Sequence, residues 1–148
     1  MTIAMPPLVM KIFWPLRAAR PEAPATRMAT LRAVPELASN SDSQLWRLLP
    51  FFDEVSLPAG AQIAREGERC SEFVVVMHGR LQATASRGPS RSLRAGDSVG
   101  WNAMWERAAN DSTVVVEADS RLLVMGHAQF RAAKAATLAR QPVRAWGA

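Results

Sequence analysis

Residues 73–83 read FVVVMHGRLQA, and this stretch decides the fold class. Phe73 to Met77 is an apolar run dominated by β-branched valine, too short for a packed helix and of the right length for a buried strand. His78-Gly79-Arg80 interrupts it, and Leu81 to Ala85 resumes it, which predicts two strands joined at a glycine turn. The same rhythm continues on both sides. Toward the N-terminus lie Val55 to Leu57 followed by Pro58-Ala59-Gly60, and Ile63 followed by Glu66-Gly67-Glu68. Toward the C-terminus come Arg87-Gly88-Pro89, Leu93, Gly96-Asp97, Val99, Thr113 to Val116 and Leu122 to Met125. Short valine-rich strands at this spacing predict an all-β sandwich or barrel.

Helices are expected at both ends of this β region. Thr26 to Val34 reads as a short helix stopped by Pro35. Ser41 or Asp42 is suited to cap a second helix that turns Leu45, Trp46, Leu48 and Leu49 toward the core. His127 to Arg140 reads as an alanine-rich helix ended by Gln141-Pro142. This gives three segments: an extension and linker over 1–25, a folded domain over 26–140 and a tail over 141–148.

The chain has 148 residues, 49% of them hydrophobic and 21% charged, which suits one soluble domain with one core. No apolar run approaches the length of a membrane-spanning helix. The opening MTIAMPPLVM lacks an early positive charge and is broken by prolines, so it reads poorly as a secretory signal. Cys70 is the single cysteine, which rules out an internal disulfide and a cysteine-built zinc site; a cytoplasmic setting is expected. The net charge of +5 is concentrated at the ends, and positions 121–148 contain basic residues and no acidic one. Such ends suit an acidic partner, an anionic membrane surface or nucleic acid, or are solvated tails.

Helix, β-roll, helix is the order of a known family. LRAVPELASNSDSQLWRLLPFFDEVSLPAGAQIAREGE resembles its opening, FVVVMHGRLQA its strand–glycine–strand element, LRAGDSVG the approach to its phosphate-binding cassette, and STVVVEADSRLLVMGHAQF its closing strands and following helix. By these motifs the chain is similar to cyclic nucleotide-binding domains from about Thr30 to about Thr137. The resemblance is to catabolite-activator-like and protein-kinase-A-regulatory-subunit-like β-rolls, here standing alone. It implies a double-stranded β-helix and a cassette in which a Gly-Glu pair opens a short helix. In that cassette the glutamate accepts the ribose hydroxyl, and an arginine nine positions later pairs with the cyclic phosphate.

Mapped onto this chain, Gly100 matches the glycine, Trp101 stands in the glutamate's place, and Asn110 stands in the arginine's place. Asn102, Ala103, Met104 and Trp105 continue the short helix, and Asp111, Ser112 and Thr113 follow Asn110. Indole offers one donor and no useful acceptor, so Trp101 cannot receive the ribose proton. Asn110 offers a neutral amide rather than a charged bidentate fork, and Asp111 beside it repels phosphate. Losing one buried charged contact commonly costs about 2–5 kcal/mol, and roughly 1.4 kcal/mol is tenfold in affinity. The expectation is a degenerate cassette and no cofactor, with a cyclic nucleotide disfavoured. Arg107 lies three positions too early to replace the missing arginine without a different loop path.

Trp101 and Trp105, four apart, share a helix face as core packing, as a plug of the vacant pocket, or as a stacking surface for an aromatic ligand. His78 and His127 are isolated and do not make a metal site. Cys70, beside Arg69, is read as an ordinary thiol in a surface turn. No nucleophile elbow or paired catalytic group is present, so enzyme activity ranks last. Too few residues follow Thr137 for a helix-turn-helix domain, so sequence-specific DNA binding is not expected, although Arg131, Lys134, Arg140 and Arg144 could touch phosphates.

Three readings remain. The first is a regulatory or protein-interaction module that uses its apolar segment 3–16 and its basic C-terminal helix as contact surfaces, toward another protein or itself. The second is a sensor of an atypical nucleotide or other small molecule. The third is a peripheral subunit of a membrane-associated complex held by residues 3–16, whose prolines limit any helix there to about two turns.

Overall fold

The structure is a computed structural model and describes residues 20–136. The expectations for segment 3–16, for the end of the last helix and for the tail lie outside the described residues. Along the chain run α1 (Pro24–Ala33), a 3-10 turn (Pro35–Leu37), α2 (Asp42–Leu48), a second 3-10 turn (Leu49–Phe51), β1 (Asp53–Leu57), β2 (Gln62–Ala64), β3 (Glu72–Thr84), β4 (Arg91–Leu93), β5 (Ser98–Val99), α3 (Trp101–Glu106), β6 (Thr113–Gly126) and α4 (His127–Ala136). This is the mainly antiparallel β-roll with flanking helices that the sequence predicts.

Two long strands organise it. β3 and β6 pair antiparallel from Glu72 opposite Gly126 to Thr84 opposite Thr113. β1 and β2 join the other edge of β6, and β4 and β5 pair with β3. The FVVVMHGRLQA stretch is therefore one bent strand rather than the expected pair joined by a turn, and His78 lies within it. Thr113 to Val116 and Leu122 to Met125 likewise merge into β6.

The apolar runs show which half of the ladder is covered twice. Val74, Val76, Leu122 and Val124 face the inside of the roll. Phe73, Val75, Met77, Leu123 and Met125 face the helices, where they meet Met28, Leu31, Leu48 and Phe130. A strand buried on both faces needs an unbroken apolar run. Beyond the bend only alternate residues are buried, Leu81 and Ala83 against Val114 and Val116.

Gly79 makes the change of phase possible. The register shifts between Val76 and Leu81 by one residue net, so odd-numbered Leu81 and Ala83 point inward where even-numbered Val74 and Val76 did. A bulge of this kind requires one residue outside the ordinary strand conformation. Gly79 has φ +103°, and a Cβ there would overlap the Ser120 side chain and lie 2.7 Å from its Cα. Ser120 Oγ accepts the Arg80 N–H at 3.1 Å and donates to the Ala118 carbonyl at 2.6 Å, which satisfies the freed backbone groups.

The helices are placed by local chemistry. Pro24 opens α1 at a position where its missing N–H costs nothing, and Met28 and Leu31, three apart, are buried. Ser41 caps α2 through a reciprocal box. Its Oγ accepts the Gln44 N–H at 3.2 Å, and Gln44 Oε1 accepts the Ser41 N–H at 2.7 Å. Leu45 and Leu48 take the buried face of this short helix. Trp46, expected to face the core, is 45% exposed, because one residue's rotation carries it away from that face.

The linker before α1 is latched to the sheet. Both carboxylate oxygens of buried Glu54 accept the Glu22 N–H at 3.1 Å. Arg121 Nη1 lies 3.3 Å from Glu54 and 3.0 Å from Glu22, and Arg27 Nε faces Glu54 at 3.5 Å. His78 Nε2 reaches Glu22 at 3.2 Å.

Gly79→Ala should lower stability by roughly 2–4 kcal/mol, combining backbone strain with the overlap at Ser120. The shift of the urea midpoint reads it directly, and an unchanged midpoint would mean that the bulge does not need glycine.

Candidate functional site

The cassette is built where β5 turns into α3. Gly100 stands at φ +100°, and an added Cβ would strike the Glu72 carbonyl oxygen and lie 3.3 Å from Cys70 Sγ. Only glycine lets the turn approach β3 this closely. α3 is a single short helix closed by Arg107 in the left-handed region at φ 56°. The chain then runs back beside the turn that precedes β3. Cys70 N–H donates to the Ala108 carbonyl at 3.1 Å, Asn110 N–H to Glu68 at 2.8 Å, and Gly67 N–H to Asn110 at 2.9 Å.

A cavity of about 270 Å³ lies under this loop. Gly100, Trp101, Asn102, Ala103, Asn110, Asp111 and Ser112 line it, as the sequence assignment places them. Met104, Trp105 and Thr113 do not. Met104 is buried in the core beneath the helices. Trp105 turns toward α4, with its ring 5.4 Å from Phe130 and Lys134 Nζ 5.0 Å above it. Thr113 Oγ1 accepts the Glu66 N–H at 3.0 Å. An amphipathic helix carries residues on opposite faces, so a contiguous stretch cannot all line one cavity.

Trp101 touches the cavity but directs its ring inward. The centroid lies 5.0 Å from Phe73, 5.8 Å from Trp105 and 5.9 Å from Phe130. Tilted and edge-to-face geometries at these distances are favourable aromatic contacts. The Asn110 amide is engaged as well, its Nδ2 donating to the Arg65 carbonyl at 3.0 Å.

Other lining residues are absent from the sequence-based assignment. Arg91 on β4 is the cation of this lining among the described residues, and Glu36, Glu106 and Asp111 supply carboxylates. Ser98 Oγ donates to Glu36 Oε1 at 2.8 Å, tying the first 3-10 turn to the cavity rim. Arg91 also borders a neighbouring groove of about 280 Å³ together with Arg87, Asp111 and Ser112. Strand pairing of Arg91 with Ala83 is the one signal that could have placed it. Glu36 arrives from a distant helical turn, which no local pattern announces.

Cys70, expected in a surface turn, is buried. The paired backbone between the turn and the post-cassette stretch covers it. Desolvation raises the thiol pKa to about 11, only partly offset by its hydrogen bond to the Glu72 carbonyl. Such a thiol is inert at neutral pH. His127 opens α4 and His78 lies at the bulge. Among the described residues no group of three or more His, Cys, Asp or Glu side chains is placed to hold a metal ion.

With this geometry in place, the comparisons decide the family. The sequence matches the cyclic nucleotide-binding domain profile over residues 54–136. The chain belongs to the cyclic nucleotide-binding domain family. A cAMP-dependent protein kinase regulatory subunit of Aspergillus fumigatus is 28% identical over 105 residues, covering 70% of this chain and 25% of that protein. The chain thus spans about a quarter of the length of that curated relative. Among solved structures, the regulatory domain of Toxoplasma gondii protein kinase A with cAMP superposes with a TM-score of 0.67 at 20% identity, covering 82% of this chain and 48% of that one. The regulatory subunit of a cAMP-independent protein kinase A from Trypanosoma brucei was solved as a mutant with cAMP in its A site. It gives a TM-score of 0.62 at 17% identity, covering 76% and 44%. These likenesses establish the roll, and the domain's relatives are regulatory subunits and binding domains.

One titration bears on the cassette's foundation. Burial raises the Glu72 carboxyl pKa to about 7. The folded protein therefore holds this proton more tightly than the unfolded chain does. Its stabilising effect is full below the ordinary carboxylate pKa and is lost as pH rises toward 7. Between pH 5 and pH 8 the protein should lose on the order of 1–3 kcal/mol through this group. Glu72→Gln should flatten that slope and stabilise the protein at pH 8, as read by urea unfolding at both pH values. An unchanged slope would show that the carboxylate is ionised in the fold at little cost.

Proposed function

We propose that this domain is a non-catalytic regulatory module that keeps the cyclic nucleotide-binding fold without holding a cyclic nucleotide and acts through protein contacts. One observation carries the reading. At the two positions where the family places a ribose acceptor and a phosphate partner, the Trp101 ring is packed among Phe73, Trp105 and Phe130, and the Asn110 amide is bonded to Arg65. Neither offers a charge to the cavity. The carboxylates of Glu36, Glu106 and Asp111 oppose a phosphate there and outnumber Arg91. The name of the Trypanosoma brucei neighbour describes a cAMP-independent member of the same fold, and the curated relative is a regulatory subunit. The contact surfaces of this module are segment 3–16 and the basic face of α4, in a cytoplasmic setting.

A second reading rests on the cavity itself. At about 270 Å³ with Arg91 at its wall, it has room for a small ligand other than a cyclic nucleotide, which would make the module a sensor.

Isothermal titration of the full chain with cyclic AMP and cyclic GMP should give no binding in the micromolar range. A low-micromolar dissociation constant for either would overturn the proposal.

The paired change Trp101→Glu and Asn110→Arg restores both missing groups, and the two should couple because they hold one ligand. Measurable cyclic-nucleotide affinity is expected. A loss of stability of roughly 2–4 kcal/mol should accompany it, since Trp101 leaves an aromatic cluster. A folded double variant without affinity would show that these two positions are not what the cavity lacks.

A further inference from the structure

The cavity under the cassette and the groove beside it adjoin through shared walls, and their charges differ. Arg91, Asp111 and Ser112 border both spaces. Arg87 borders the groove alone, and Glu36 and Glu106 border the cavity alone. The shared walls set an order: Arg87 and Arg91 at the groove end, Asp111 with Ser112 at the seam, Glu36 and Glu106 at the far end. The guanidiniums at the groove end are unspent. Among the described residues neither Arg87 nor Arg91 makes a side-chain hydrogen bond or ion pair, whereas Arg27, Arg32, Arg80 and Arg121 each face a carboxylate. Two cations bordering one groove repel each other until an anion lies between them, and their forked donors match carboxylate geometry. At the seam, buried Ser112 donates its Oγ to Asp111 Oδ1 at 3.2 Å, which orients that carboxylate. At the far end Glu36 is fixed by the hydrogen bond from Ser98, and Glu106 ends α3.

We propose that the joined site binds a basic amino acid, a small ligand with one carboxylate and two cationic groups. The proposal rests on the second reading above, of the cavity as a small-ligand site, and names the class of ligand. The α-carboxylate lies between Arg87 and Arg91, the α-ammonium against Asp111 at the seam, and the side-chain cation against Glu36 and Glu106. The charge count agrees. Two arginines against three carboxylates leave one negative charge in excess, and a basic amino acid carries one positive charge in excess. The same count disfavours a cyclic nucleotide, whose phosphate is an anion. Size agrees as well. The cavity of about 270 Å³ and the groove of about 280 Å³ each fall just short of small-molecule sites, which span about 300–1,000 Å³, and joined they lie within that range. A site built to pair particular polar groups rejects analogues that lack one of them, because its own groups are then left without partners.

Isothermal titration of the full chain with L-lysine and L-arginine tests this, alongside three truncated probes. L-norleucine lacks the side-chain cation, ε-aminocaproate lacks the α-ammonium, and cadaverine lacks the carboxylate. Both basic amino acids should bind saturably, and each truncated probe should bind at least roughly tenfold more weakly than L-lysine. Arg87→Met and Arg91→Met should each weaken L-lysine binding roughly tenfold or more. Arg94→Met, the same loss of charge at a residue bordering neither space, should leave it unchanged. Glu36→Gln keeps an acceptor for Ser98 and should reduce the preference for L-lysine over L-norleucine.

Several results would overturn the proposal. Cadaverine, ε-aminocaproate or L-norleucine binding as tightly as L-lysine would overturn the ligand class and leave the cavity a small-ligand site. Equal weakening by Arg94→Met and Arg91→Met would reduce the effect to net charge and remove the assigned site. Absence of binding by all five compounds would also overturn it. In that case the melting temperature in a low-molecular-weight cell filtrate separates the two readings: a rise for the native chain but not for Arg91→Met keeps the cavity as a small-ligand site, and no rise ends that reading too.

Discussion

Everything in this domain hangs on the ladder between β3 and β6. It supplies the inner face of the roll, the floor on which the helices sit and the edge against which the cassette turns. A ladder this long between two twisting strands would close poorly if its pleat never changed phase. The one-residue shift centred on Gly79, with Ser120 filling the place where a side chain would be, lets both halves point apolar residues into the same interior. In the half that the helices cover, the strands are apolar on both faces. In the other half they alternate, so one sheet serves both as the middle layer of a packed core and as the wall of a hollow roll.

The scaffold of the cassette is set by backbone contacts. Gly100 keeps the close approach to the Glu72 carbonyl, and the stretch after α3 keeps its pairing with the turn before β3. Those backbone features place a short helix over a cavity whatever its side chains are. The side chains then divide by face. Trp101 and Trp105 join Phe73, Phe52 and Phe130 in one aromatic cluster, which Lys134 caps from α4. The wall of the cavity and the last helix are thereby packed as one unit by dispersion and ring electrostatics. The polar latch at Glu54 plays the matching part at the other end, fixing the linker and α1 on the sheet through charges that are costly to leave unpaired when buried.

Much of this was written in the residues themselves. The apolar run at Phe73 to Met77, its counterpart at Leu122 to Met125 and the glycine-punctuated spacing between them determined an all-β body with helices at either end, and the family motifs specified a β-roll. Ser41 or Asp42 marked a helix start, Pro35 stopped α1, and the resemblance placed Trp101 and Asn110 at the two family positions of the cassette. These are local facts, fixed by backbone sterics, hydrogen-bonding capacity and period. What only the tertiary structure decided is of another kind. Whether Gly79 is a hairpin turn or a bulge depends on the strand that runs beside it. Whether Cys70 is exposed depends on a stretch about forty residues away folding over it. Glu36 and Arg91 meet Asp111 at one cavity because distant elements converge there, and Trp105 leaves it because Phe130 offers its ring a better neighbour. A sequence records what each residue can do, and the packing of remote elements chooses among those options, since burial and contact exist only between parts of the chain that the fold has brought together.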